Sequence, residues 1–320
     1  MRKIDTHVHV FPDLAKWLTP KIARGPLAAV VTEGQVNFFR NQARRWSKPF
    51  ASALHRLQPV LRVLPDGVRE GVDELSSLAP IPRLLVESSP ADLEYAMRKA
   101  EIDAAVVVAQ PPYTSNEMIL ELARENPKLL PAVNIPPGTP RVAVVLKKYR
   151  EQGARALKIH PAADGEGPKT TRYMNLLRAA ADLGMPVILH SGKFSTRTFF
   201  KKPEAGDPMV FQEWFRTFPS IRFVLAHMNL HEPGVAMDLA EEFQNLYLNT
   251  SWQPAETIAE AVRRVGDDRV LFASDWPIVG DNFRVGISRV HEAVDGGLIT
   301  MEQASKVFGE NAARIFGWEG

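Results

Sequence analysis

The sequence predicts an α/β protein, a (β/α)8 barrel carrying a helical insertion after its first strand. Three observations carry this expectation. Short apolar runs alternate with amphipathic segments along most of the chain, as buried parallel strands and their crossover helices require. Eight such runs are found, each followed by a helix or an insertion. Histidines and other polar residues collect at the C-terminal ends of the runs, the rim where barrels of this kind gather their chemistry. A doubly wound open sheet is the alternative, but the glycine-rich phosphate turn that would support it is absent.

The first run is Ile4-Asp5-Thr6-His7-Val8-His9-Val10, ended by Phe11-Pro12. Period-two alternation puts His7 and His9 on one face, close enough for both imidazoles to reach one metal ion. Two strand-end histidines bonded to backbone are the plainer reading of the pair. The stretch 13–80 then departs from the pattern and contains no convincing strand. Between Gly34 and Pro65 it has no acidic residue but six basic ones, among apolar residues recurring every three or four positions. This predicts amphipathic helices broken near Pro49 and Pro59. A cap packed on its own domain is favoured over a membrane-surface element.

Ser89-Pro90-Ala91-Asp92 reads as a helix start, with Ser89 as the cap and Pro90 in the first turn. Beyond it, strands are expected at 104–109, 129–135, 154–160, 186–190, 221–227, 246–250 and 270–274. Helices are expected at 91–100, 141–152, 171–183, 208–218, 232–243, 255–265 and 283–294. Gly153, Gly184 and Gly266 follow three of them, where a left-handed cap favours glycine. The barrel then comprises 1–12 and 81–320, and 13–80 is the insertion, acting as cap, lid or oligomer contact.

Composition narrows the function classes. The chain has 320 residues, and 39 basic against 37 acidic residues leave a net charge of +2, which does not advertise nucleic-acid binding. Without cysteine, a transition-metal site must use histidine and carboxylate. The N-terminus carries no signal-peptide pattern, and no apolar run approaches a membrane span. A cytoplasmic protein is expected.

At the predicted rim stand His7 and His9, then Lys158 and His160, His190, His227 and Asp275. Each histidine singly fits a hydrogen-bonded core residue. Their concentration at one end of apolar strands points to a metal site, because buried imidazoles without partners are costly. The sequence resembles the amidohydrolase superfamily, in the branch near aminocarboxymuconate semialdehyde decarboxylase and dicarboxylate-lactone hydrolases. The resemblance rests on Asp5-Thr6-His7-Val8-His9, Leu157-Lys158-Ile159-His160-Pro161, Val187-Ile188-Leu189-His190-Ser191-Gly192, Leu225-Ala226-His227, Ala273-Ser274-Asp275-Trp276-Pro277 and the C-terminal stretch from Gly309 to Phe316.

The resemblance implies that His7, His9, His190 and Asp275 bind a divalent metal, Zn2+ first and Mn2+ second. It also implies that Asp275 takes a proton from metal-bound water and that His227 is a general acid/base or polarises the substrate. In some branches a lysine placed like Lys158 is carbamylated and bridges two metals. Lys158 otherwise pairs with a substrate carboxylate, Asp5 or Asp275, and one metal is favoured over two. His160 is a substrate contact or a hydrogen-bonded rim residue.

In the basic, aromatic loop after the fifth strand, Lys193 and Arg197 are candidate anion-binding residues or ordinary solvated charges. Trp252 and Trp276 line the pocket or pack in its wall. His231 is read as a loop or cap residue, and His55 and His291 carry no signal. The leading function is metal-dependent hydrolysis of an amide, lactone or ester bond in a small carboxylated molecule. The alternative is metal-dependent, non-oxidative decarboxylation of a small unsaturated or aromatic acid. A non-catalytic metal- or ligand-binding protein docking through 13–80 stands behind both. A homodimer is the expected assembly.

Overall fold

Eight parallel strands set the architecture: β1 (Ile4–Val8), β2 (Ala104–Val108), β3 (Leu129–Asn134), β4 (Ala156–Ile159), β5 (Val187–His190), β6 (Phe223–Ala226), β7 (Leu246–Asn249) and β8 (Val270–Leu271). The computed structural model describes residues 1–12, 60, 63–78, 84, 87–168, 170–194, 200–278 and 282–320. The strands lie side by side in chain order. Backbone bonds from β1 to the stretch after β8 close the ring. Thr6 N–H donates to Phe272 O at 3.0 Å, Asp275 N–H to His7 O at 3.0 Å and His9 N–H to Trp276 O at 2.7 Å. This is a (β/α)8 barrel, as the alternation of runs predicts.

The strands read as continuous apolar runs because both faces are buried. In β2, Ala104, Val106 and Val108 join the cluster inside the barrel, whereas Ala105 and Val107 join the one beneath the helices. The inner cluster also takes in Ala312, Ile315 and Phe316 from the helix Asn311–Phe316. Ala156 and Ile188 belong to the inner cluster, so Lys158 and His190, two residues further on, share the inward face. β1 is irregular: its register against β2 shifts between Asp5 and Val8. Ile4 lies in the inner cluster and Val8 in the outer, although plain alternation would put both on one face. The bulge re-aims the strand end, as bulges beside functional sites do.

The helix Pro90–Ala100 begins with a capping box, Ser89 Oγ accepting from Asp92 N–H and Asp92 accepting from Ser89 N–H. Gly153, Gly184 and Gly266 all take positive φ, as expected after helix ends. Two element expectations are corrected. A helix, Asn116–Glu125, fills the interval after β2, where none had been placed. Its stripe is short and its N-terminal Asn116 is buried, exchanging hydrogen bonds with the Asn134 backbone. The stretch expected as one helix at 208–218 is a 3-10 turn at Pro208–Phe211 followed by a short helix at Gln212–Thr217, with a further 3-10 turn before it at Pro203–Gly206. Two prolines and the Asp207 side chain, which accepts from Met209 N–H, reset the backbone there.

Between β1 and β2, Asp66–Leu78 is helical. The helices expected around Pro49 and Pro59, and Arg197, lie outside the described residues. No described helix is long and apolar enough to cross a membrane.

Candidate active site at the C-terminal rim

The bulged end of β1 and the turn after β8 bring three side chains together. His7 Nε2 lies 3.9 Å and His9 Nε2 3.4 Å from Asp275 Oδ1. All three are buried, and one ligand atom from each falls within 4.8 Å of the others. The backbone is bent to achieve this: Asp275 adopts φ 60°, and Asp5 accepts the His7 N–H at 2.9 Å, fixing the strand end. Burial pushes the Asp275 carboxyl up. The attraction of the His227 ring when protonated, together with hydrogen bonds from His9 and Trp252, outweighs that effect and holds it below the usual range.

His227 follows β6 in a turn that ordinary residues avoid. His227, Met228, Asn229 and Leu230 have φ of 61°, 47°, 60° and 49°. Left-handed backbone costs a non-glycine residue about 1–2 kcal/mol, so the turn must be held from outside. Gln253 Nε2 donates to His227 O at 2.7 Å and to Leu230 O at 3.2 Å. Asn229 N–H donates to Ser191 Oγ at 3.2 Å. The His227 N–H donates to Asn249 Oδ1 at 2.7 Å, and its ring Nδ1 lies 2.8 Å from Ser251 Oγ. The same ring stacks on His7 with centroids 5.0 Å apart, and Nδ1 is 4.0 Å from Asp275 Oδ2. Burial draws the His227 pKa down to about 4, against the opposing Asp275 charge.

A second group lies across the rim. His160 and His190 stack face to face at 3.9 Å, with Phe200 against both rings, and His190 meets His227 edge-on at 5.2 Å. His160 Nδ1 accepts from Ala163 N–H in the short turn that follows β4. Burial holds His7, His160 and His190 well below the ordinary imidazole range, with neighbouring positive charges adding to it. Lys158 is buried, its Nζ has no hydrogen-bond partner among the described residues, and burial brings its pKa down to about 7. Burial raises Asp5 to about 7.

These residues fit a divalent cation. Neutral imidazoles and an ionised carboxylate are the protonation states that metal ligation needs. His190 Nε2 is buried without a hydrogen-bond partner among the described residues, a costly state unless something else occupies the nitrogen. His190 stands outside the tight triad, one ring away beside His227.

The remaining candidates separate. Trp252 reaches the site, its Nε1–H donating to Asp275 Oδ2 at 2.8 Å. Trp276 packs in the wall, 3% exposed and stacked on Phe283. Lys193 is an exposed residue held by Asp207 at 2.8 Å. His231, read as a loop residue, sits in the loop after β6 but is buried against Asp73 of the insertion helix at 3.2 Å. Asn249, Ser251 and Gln253 escaped the sequence reading. Their only signal is alternation at the end of an apolar run, and small polar residues occupy such positions in any loop.

The fold is shared with solved proteins of low sequence identity. A 5-carboxyvanillate decarboxylase from Sphingomonas paucimobilis superposes with TM-score 0.65 at 14% identity, covering 99% of each chain. A probable 2-pyrone-4,6-dicarboxylic acid hydrolase from Acinetobacter baumannii, with citric acid bound, gives 0.59 at 14% identity, covering 99% of this chain and 100% of that one. An amidohydrolase from Burkholderia multivorans, with bound zinc, gives 0.62 at 13% identity, covering 99% of each. No curated protein sequence matches the chain. The sequence pattern of the amidohydrolase family matches residues 4–318. With that match running from β1 to the last helix, the chain belongs to the amidohydrolase family and is an enzyme of that superfamily.

Proposed function

We propose that the protein is a metal-dependent hydrolase of an amide, lactone or ester bond in a small carboxylated molecule. His7, His9, His190 and Asp275 would hold one divalent ion, zinc before manganese. The observation that carries this reading is the buried His7–His9–Asp275 triad, with ligand atoms within 4.8 Å of one another; beyond His227 lies the His190 ring, whose Nε2 has no hydrogen-bond partner among the described residues. A divalent ion bound there supplies Lewis acidity to a substrate oxygen or to water.

The chain's own residues do the rest. Asp275, ionised and oriented by Trp252, takes the proton from the attacking water. His227, uncharged at neutral pH, relays a proton to the leaving group. Lys158, buried and without a hydrogen-bond partner among the described residues, offers its ammonium to a substrate carboxylate, and His160 completes that side of the site. Lys193, once released from Asp207, and Arg197, a candidate from the sequence alone, would attract an anion, and Trp276 would stiffen the wall. The cysteine-free composition suits the cytoplasm, and the amphipathic 13–80 segment suits a cap or homodimer contact.

A second reading has support in the ring cluster of His160, His190 and Phe200 beside the triad, whose faces suit a planar acid. There the site would release carbon dioxide from an unsaturated or aromatic acid: the C–C bond breaks, and His227 returns a proton to the carbon. Product analysis separates the two, since hydrolysis incorporates water and decarboxylation releases carbon dioxide without it.

Elemental mass spectrometry of the purified protein, beside His7→Ala and Asp275→Ala, tests the metal reading. About one equivalent of zinc or manganese is expected, lost in both variants. Two equivalents would point to a carbamylated Lys158 bridging a pair. No metal even after reconstitution would overturn the mechanism.

A further inference from the structure

We propose that the turn leaving β7, through Asn249, Ser251 and Gln253, is the positioning device for His227, and that Ser251 fixes its ring tautomer. The catalytic consequence rests on the reading of His227 as the proton-handling residue. The tautomer itself follows from hydrogen-bond accounting.

Asn249 provides the starting constraint. The His227 backbone N–H points at one terminal atom of its amide at 2.7 Å, so that atom is the oxygen. Ser251 Oγ lies 2.8 Å from the same oxygen and 2.8 Å from His227 Nδ1. Two oxygens at that separation need a proton between them, and the Ser251 hydroxyl has only one. It goes to Asn249 Oδ1. The Ser251 oxygen therefore accepts from His227, and Nδ1 carries the ring proton. Nε2 is left with its lone pair and, among the described residues, no hydrogen-bond partner.

Gln253 completes the cradle by clamping both ends of the left-handed turn, at His227 O and Leu230 O. Residues 249, 251 and 253 alternate, so one edge of the β7 turn addresses His227 while Trp252, between them, addresses Asp275. One short segment, with no residue in the metal triad, thus holds both proton-handling groups. Ser251 and Gln253 are 1% and 2% exposed, which puts them behind the reacting groups rather than in contact with substrate.

The test is histidine-selective 15N NMR on the protein as purified, at neutral pH, with His227 resonances identified by their loss in His227→Gln. Wild type should show a protonated Nδ1 and an unprotonated Nε2. Ser251→Ala should move the proton wholly or partly to Nε2, and Ser251→Thr, which keeps the hydroxyl, should restore the wild-type pattern. A wild-type ring protonated on Nε2 overturns the proposal, and so does an unchanged Ser251→Ala spectrum. The wild-type spectrum decides even if Ser251→Ala does not fold. The measurement needs neither substrate nor added metal, so a failed metal reading and a failed positioning role give different results.

Discussion

Trp252 shows how a single side chain can act through another. Its Nε1–H reaches Asp275 Oδ2 at 2.8 Å, and its own backbone is held at φ 69°. The indole therefore uses its one donor to orient a carboxylate whose other oxygen faces His7 and His9. Partners that orient metal ligands are worth about 10–100-fold in metal affinity. Trp252→Phe keeps the ring and removes the donor, so zinc affinity measured by chelator competition should weaken by about that factor. Unchanged affinity would mean that the indole only fills space. At this scale the sequence disclosed the histidines and Asp275, because an ionisable group at the end of an apolar strand is conspicuous. It placed Trp252 near the pocket but could not give the hydrogen bond, which depends on a positive φ. Asn249, Ser251 and Gln253 stayed invisible, since their role lies in where three polar atoms meet.

The helix Asp66–Leu78 is fastened to the rim by a contact between residues far apart in the chain. Asp73 Oδ1 lies 3.2 Å from His231 Nε2, and both side chains are buried. Sequence patterning could assign the loop position of His231. It could not join residues separated by 158 positions. The broken 203–217 segment illustrates the same limit, because apolar spacing alone does not register how Pro203, Pro208 and Asp207 divide it. Asp73→Ala would leave a buried imidazole without its partner, a loss of about 1–3 kcal/mol. Urea denaturation should show that loss, and limited proteolysis should show faster cutting near the helix. A variant as stable and as resistant as wild type would mean that the helix is seated by other contacts.

For the whole molecule, a rim of neutral histidines ties stability to pH when metal is absent. His7, His160 and His190 are held well below the ordinary 6.5 and His227 at about 4, so the folded state resists protons that the unfolded chain accepts below 6.5. Where the unfolded state binds more protons, stability falls as pH falls, by up to about 1.4 kcal/mol per pH unit for each group. Asp5 works the other way: raised from 3.8 to about 7, it holds a proton in the folded state that the unfolded chain has lost, and so favours folding as pH drops through that window. Four histidines, joined by the lowered Lys158 and Asp275, outweigh the raised Asp5 and Asp164 and decide the sign. Chelator-treated protein should therefore unfold at markedly lower urea at pH 5 than at pH 7. Adding zinc at neutral pH should raise the midpoint, by about 2.7 kcal/mol at a hundred times the dissociation constant. A metal-free midpoint that is flat or higher at pH 5 would mean that the rim histidines already have proton acceptors when folded. The barrel would then carry its site as a hydrogen-bonded core rather than as a set of ligands kept ready for a cation.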